Sequence, residues 1–128
     1  AFIDDSKATS LAATQAALRM VGRNVRLIAG GQLKEDDLDF LDAELTAAAR
    51  KAYLIGEAQA PLFNAWRDLL PCVQCGTLQA AVRAAFAEAE PGDTILLSPG
   101  CASFDQFPGM AARGDAFRAL FEDLAQNA

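Results

Sequence analysis

Three polar segments carry the residues best able to bind a ligand: Asp4-Asp5-Ser6-Lys7-Ala8-Thr9, Gly30-Gly31-Gln32-Leu33-Lys34, and Ser98-Pro99-Gly100-Cys101-Ala102-Ser103-Phe104-Asp105-Gln106-Phe107. Lys7 and Thr9 set a cation and a hydroxyl at the entrance of a helix, where unpaired backbone N–H groups add to both. The combination suits a carboxylate or a phosphate. An N-cap beside a solvated lysine is the plainer reading of the same residues. Gly30-Gly31 supplies a tight turn and a close backbone approach. It fits neither the dinucleotide fingerprint nor the phosphate loop with its terminal Lys-Ser/Thr. Cys72 and Cys75 form C-x-x-C just ahead of a helix capped by Thr77, a context in which a thiol pKa can fall and redox chemistry can start. Buried small thiols are the alternative. A metal site needs more ligands than three cysteines without a histidine provide.

Composition removes whole classes of function. The chain has no histidine, which excludes Ser-His and Cys-His catalysis and most zinc or non-haem iron sites. Eleven basic against seventeen acidic residues leave a net charge of -6, which repels nucleic acid and anionic lipid at long range. A small anionic ligand held by a few local cations remains open. No apolar run reaches the length of a membrane span, and the start lacks a basic region followed by a long apolar stretch. The expectation is a chain that has no nucleic-acid partner, does not span a membrane and is not visibly secreted. At 128 residues, 52% of them hydrophobic, the chain fits one packed domain over 1–128. It enters a strand-like segment at Phe2, as a chain cut out of something longer or trimmed after expression would.

The elements that must position these residues are legible. Apolar runs at Phe2-Ile3, Val25 to Ala29, Ala52 to Ile55, Cys72-Val73 and Thr94 to Leu97 are nearly continuous, the pattern of strands covered on both faces. Amphipathic helices lie between them. Residues 10–21 carry Leu11, Leu18 and Val21, with Thr9 or Ser10 as cap and Gly22 past the end. Leu38, Leu41, Leu45 and Ala48 follow the acidic start Glu35-Asp36-Asp37. Residues 60–70 bury Leu62, Trp66 and Leu69, and Leu78, Val82, Ala85 and Phe86 follow Thr77. The last helix carries Phe117, Leu120, Phe121 and Leu124. Alternating strand and helix predicts an α/β, Rossmann-like three-layer αβα sandwich on a mostly parallel sheet of five or six strands. In such a sheet ligands sit at the carboxyl ends of the strands, where all three polar segments fall.

A (βα)5 chain with an acidic pair after its first strand invites comparison with signalling receiver domains. Receivers need a phosphate-accepting Asp after the third strand, where this chain has Ile55-Gly56-Glu57, and a Lys after the fifth, where it has Leu97-Ser98-Pro99. Both groups are missing.

Asp5-Ser6-Lys7-Ala8-Thr9, then Gly30-Gly31-x-x-Lys34, then Leu97-Ser98-Pro99-x-Cys101-Ala102-Ser103-Phe104-Asp105-Gln106-Phe107 with Arg113-Gly114 and Phe117, resembles the C-terminal domain of the D-glutamate-adding members of the Mur ligase family. The similarity runs essentially end to end. The first and last motifs distinguish this branch from its Mur relatives and from folylpolyglutamate synthetase. Departures fall at Asp4 and Ser10, where the family usually has Asn, and at Pro108-Gly109-Met110, where it has a basic-Asn-aromatic run.

The resemblance implies a reaction: ATP phosphorylates the carboxylate of UDP-N-acetylmuramoyl-L-alanine, and the amine of D-glutamate attacks the acyl phosphate to form an amide. It implies two further domains, an N-terminal one holding the UDP end and a central one holding ATP and Mg2+. It assigns substrate binding here to Lys7, Thr9, Lys34, Ser103 and the backbone of Phe104. Asp5 falls on the nucleotide side, with no catalytic residue and no metal in this domain. The isolated domain is then inactive. A stand-alone thiol-redox or anion-binding module is the alternative.

Overall fold

The computed structural model describes residues 2–5, 7–33, 35–100, 115–120 and 122–123. Its described elements run β1 (Phe2–Asp4), α1 (Leu11–Val21), β2 (Val25–Gly30), a 3-10 turn at Leu38–Leu41, α2 (Asp42–Ala48), β3 (Ala49–Ile55), α3 (Gln59–Trp66), β4 (Cys72–Gly76), α4 (Leu78–Glu88) and β5 (Thr94–Leu97). A further helical stretch covers residues 115–120. The strands form one all-parallel sheet in the order β1-β5-β2-β3-β4.

Burial explains this order. Every residue of β2 is buried, and three of the four in β5, so these apolar runs take the middle of the sheet. The short runs at Phe2-Ile3 and Cys72-Val73 become the edge strands, less buried throughout. Side chains alternate between two cores. Val25, Leu27, Leu54 and Leu96 pack with α1, α2 and α3, while Ile28, Tyr53, Ile55 and Leu97 pack with α4 and Phe117. Three connections step one way along the sheet and the α4 connection returns from β4 to β5. Right-handed crossovers therefore put α4 on the opposite face from the first three helices.

Local signals hold at the caps. Ser10 accepts from the Ala13 N–H and Gly22 ends α1 in the left-handed region (φ 86°). Thr77 accepts from the Ala80 N–H at the start of α4. Two expectations shift. The helix after Glu35-Asp36-Asp37 begins as a 3-10 turn and becomes α-helical only at Asp42. The third helix stops at Trp66, leaving Leu69 partly buried in the following turn.

At the amino end of the strands a buried ion pair locks β2 to the turn before β5. Arg26 Nε donates to Asp93 Oδ2 at 2.8 Å, and its Nη1 donates to the Tyr53 hydroxyl at 2.9 Å. Tyr53 in turn donates to Glu88 at 2.6 Å. Burial, then the bond to Glu88, pushes the Tyr53 phenol pKa up. Burial works against the Asp93 carboxylate, but the Glu90 N–H and Arg26 outweigh it and hold the pKa below the usual range. This network stabilises the end of the sheet away from the polar loops.

Candidate functional site

Parallel strands in matched register bring three loops out at one level. Asp4 lies beside Leu97, Leu97 beside Ile28, and Gly30 beside Ile55. The faces to which the loops lead differ: β1 and β2 are followed by helices on one face, whereas Phe117, beyond β5, packs on the other. The crevice that such a reversal opens is where ligands bind in open α/β sheets. It flanks β5 on both sides.

Backbone hydrogen bonds stitch the loops together. Asp5 N–H donates to Leu97 O at 2.7 Å, Gly100 N–H to Ala8 O at 2.7 Å, and Gly30 N–H to Pro99 O at 3.0 Å. The Gly30-Gly31 pair is needed for this crossing. Gly30 has φ 133°, and a Cβ there would meet Ile55 O at 2.1 Å. Its role is the close approach of β2's end to β3 and β5, as a turn.

The loop after β1 is shaped to present two side chains. Ala8 is buried at 1% exposure and pinned under Gly100, while Lys7 and Thr9 on either side of it are exposed. Thr9 N–H donates to Lys7 O at 2.9 Å, closing a three-residue turn. Ser10 takes the capping role, so the Thr9 hydroxyl is not committed to it.

One expectation is corrected here. The open helix N-terminus anticipated for an anion is partly filled by the chain itself, because Glu35 Oε2 accepts from the Leu11 N–H at 2.8 Å and Ser10 Oγ from the Ala13 N–H at 3.2 Å. A carboxylate at that position suits the helix dipole. Two of α1's first amides are therefore already engaged within the chain. Glu35 also ties the segment after β2 to α1, and Lys34 directly precedes it.

Behind the loops lies a buried hydroxyl pair, Ser98 with Thr14, whose pairing the sequence did not show. Ser98, 0% exposed, donates from Oγ to Asp5 Oδ2 at 2.9 Å. Thr14, also 0% exposed, donates to Ser98 O at 3.1 Å. A signal existed: Leu11, Thr14 and Leu18 lie i, i+3, i+7 on one helix face, and a hydroxyl on an apolar stripe must find a partner inside. Asp4, where Asn was the family's usual residue, accepts from Arg118 Nη1 at 2.7 Å, so its charge is met from the last helical stretch.

Ser6, Lys34, Cys101, Ser103, Phe104, Arg113 and Pro108-Gly109-Met110 lie outside the described residues. Among the described residues no group of three or more His, Cys, Asp or Glu is placed to hold a metal, and no helix is long and apolar enough to cross a membrane. A groove of about 330 Å³ runs between β1 and α1, past Ile3, Ala17 and Met20. Its wall is largely apolar, and Asp4 and Asp5 border it beside Lys7, a poor setting for a diacid.

Cys72 and Cys75 both lie in β4, but Cys72 packs with the core on the α3 side and Cys75 with the core on the α4 side. Opposite faces of a sheet do not allow a bridge between them. Burial pushes the Cys72 thiol up to about 11 and the Cys75 thiol in the same direction. Neither thiol is activated, which removes the support for a redox module.

Comparison with known proteins agrees with this geometry. The family model described as Mur ligase, glutamate ligase domain matches residues 1–101. UDP-N-acetylmuramoylalanine--D-glutamate ligase of Chlamydia felis (strain Fe/C-56) is 44% identical over 123 residues, covering 96% of this chain and 29% of the relative. The proteins of the same name from Burkholderia mallei (strain SAVP1) and Burkholderia pseudomallei (strain 668) are each 46% identical over 125 residues, 97% of this chain and 25% of theirs. The chain thus spans between a quarter and a third of the length of these relatives. With its parallel sheet, its stitched carboxyl edge and a family match over most of its length, the chain belongs to the Mur ligase family, as a glutamate ligase domain.

Proposed function

We propose that the chain is the C-terminal, amino-acid-binding domain of a cytoplasmic ATP-dependent ligase that adds D-glutamate to UDP-N-acetylmuramoyl-L-alanine in peptidoglycan biosynthesis. Lys7, Thr9 and Ser103 grip a carboxylate of D-glutamate, joined by the backbone of Phe104, with Lys34 near the same substrate and Asp5 toward the nucleotide. The acyl phosphate made from ATP is attacked by the D-glutamate amine, an amide forms and inorganic phosphate leaves. ATP and Mg2+ are held mainly by a central domain and the UDP end by an N-terminal one, both outside this chain. This domain contributes no catalytic residue; it orients the amine and closes over the cleft.

The observation that carries the reading is the hydrogen bond from Gly100 to Ala8, which joins the loop bearing Lys7 and Thr9 to the segment leading to Ser103. Ser103 follows Gly100 by three residues, a chain length of at most about 11 Å. A dicarboxylate calls for converging cationic and hydroxyl donors, each charged hydrogen bond contributing about 1.5–3 kcal/mol. The chain has no phosphate loop, so alone it is expected to turn over no ATP. Amide NMR tests the reading on the chain itself: D-glutamate should shift the resonances of Lys7 to Thr9, Lys34, Ser98 and residues 100–104. Shifts confined to Cys72 to Gly76, or none at millimolar D-glutamate, would contradict it.

A further inference from the structure

We infer that Ser98 is a positioning residue: its buried hydroxyl aims the Asp5 carboxylate into the cleft. This rests on the placement of Asp5 toward the nucleotide proposed above. Ser98 has one hydroxyl proton and two acceptors within reach, Asp5 Oδ2 at 2.9 Å and Thr14 Oγ1 at 3.3 Å. The shorter contact, to the charged group, takes the proton. Thr14 then spends its own proton on Ser98 O at 3.1 Å, which fixes the backbone from which Ser98 Oγ projects. Ser98 N–H is held in turn by Ile28 O at 3.3 Å. Three elements, α1, β2 and β5, thus fix one hydroxyl, and that hydroxyl fixes one oxygen of a half-buried carboxylate.

Removing the hydroxyl separates this role from stability. Asp5 N–H to Leu97 O, Gly100 N–H to Ala8 O and Thr14 to Ser98 O are all independent of Ser98 Oγ, so Ser98→Ala leaves the loops stitched and frees only the carboxylate. In the full-length ligase, Ser98→Ala should raise the KM for ATP about five- to tenfold. The kcat and the KM for D-glutamate should stay within about twofold, since Lys7 and Thr9 keep their backbone anchors. A merely structural role would lower the active fraction and leave the KM values alone. The decisive arm is a cycle with Asp5→Ala: in that background Ser98→Ala should change the ATP KM no further. If the two effects add, Ser98 does not act through Asp5 and the inference fails while the site reading stands. If Asp5→Ala leaves the ATP KM unchanged, the placement of Asp5 fails and takes the inference with it. Should Ser98→Ala fold poorly, judged by its urea midpoint, Thr14→Val serves instead. It releases the Ser98 backbone and should move the ATP KM in the same direction, and an unchanged KM would count against the inference.

Discussion

Gly30→Ala probes whether close backbone approach at the carboxyl edge holds the loops in place. The new Cβ would lie 2.1 Å from Ile55 O and 2.9 Å from both Ile55 C and N, all backbone atoms of a buried strand that cannot swing aside. A side chain at φ 133° also occupies a region nearly reserved for glycine, at about 1–3 kcal/mol. Relieving the overlap means moving β2's end away from β3. That weakens the bonds from Gly30 N–H to Pro99 O and from Gly31 N–H to Ile55 O, about 1 kcal/mol each. The sum is about 4 kcal/mol. With a urea m-value of about 2 kcal/mol/M the midpoint should fall by about 2 M. Trp66 is the chain's single tryptophan and fully buried, so its fluorescence reports the transition. Gly92→Ala is the control: φ is 93°, but nothing lies within 4 Å of its Cβ, so only the conformational cost of about 1–2 kcal/mol remains. Equal midpoint losses in the two variants would refute the close-approach reasoning.

Other expectations concern the rest of the molecule. Asp93→Ala leaves Arg26 buried without its carboxylate and should destabilise the chain by about 3–5 kcal/mol, measured by urea titration. Cys72 should alkylate slowly at pH 8 and accelerate only as pH approaches its raised pKa of about 11, and mild oxidation should produce no Cys72–Cys75 disulfide; rapid labelling at neutral pH would contradict the first and a bridged peptide the second. Asp42 behaves oppositely to Asp93. Burial, then Asp39 and Asp37, raises its pKa, and its Oδ1 is buried without a partner among the described residues. Its charge therefore disfavours the fold at neutral pH. Asp42→Asn should stabilise the chain at pH 7 and lose that advantage as acid protonates the wild-type carboxyl. Asp93, whose folded-state pKa is depressed, supplies stability that is complete above the ordinary carboxylate value of 3.8 and disappears as pH falls through its folded value.

How far the sequence reaches can be judged from particular residues. Strand positions were legible because β2 and β5 are buried on both faces, which forces apolar residues at consecutive positions. Strand order was not, because nothing in the run Thr94 to Leu97 says that it inserts between β1 and β2. Caps at Ser10 and Thr77 followed from short-range chemistry. Glu35 was misread for the complementary reason: acidic residues ahead of a helix look local, and its partner is Leu11, twenty-four positions away. Ser98 stood out only as the start of a polar segment, and its pairing with Thr14 did not show because it is tertiary, eighty-four positions apart. Lys7 and Thr9 stood out as exposed polar residues at a strand's end, and the structure adds how they are held, through Ala8 and Gly100.

The most direct test of the account is the D-glutamate kinetics of the full-length ligase carrying Lys7→Ala. Loss of one charged contact to a substrate carboxylate should raise the KM for D-glutamate by roughly tenfold or more. The urea midpoint of the corresponding chain should not change, since Lys7 is exposed. A D-glutamate KM equal to that of the unaltered ligase would contradict the claim that this rim holds the incoming amino acid.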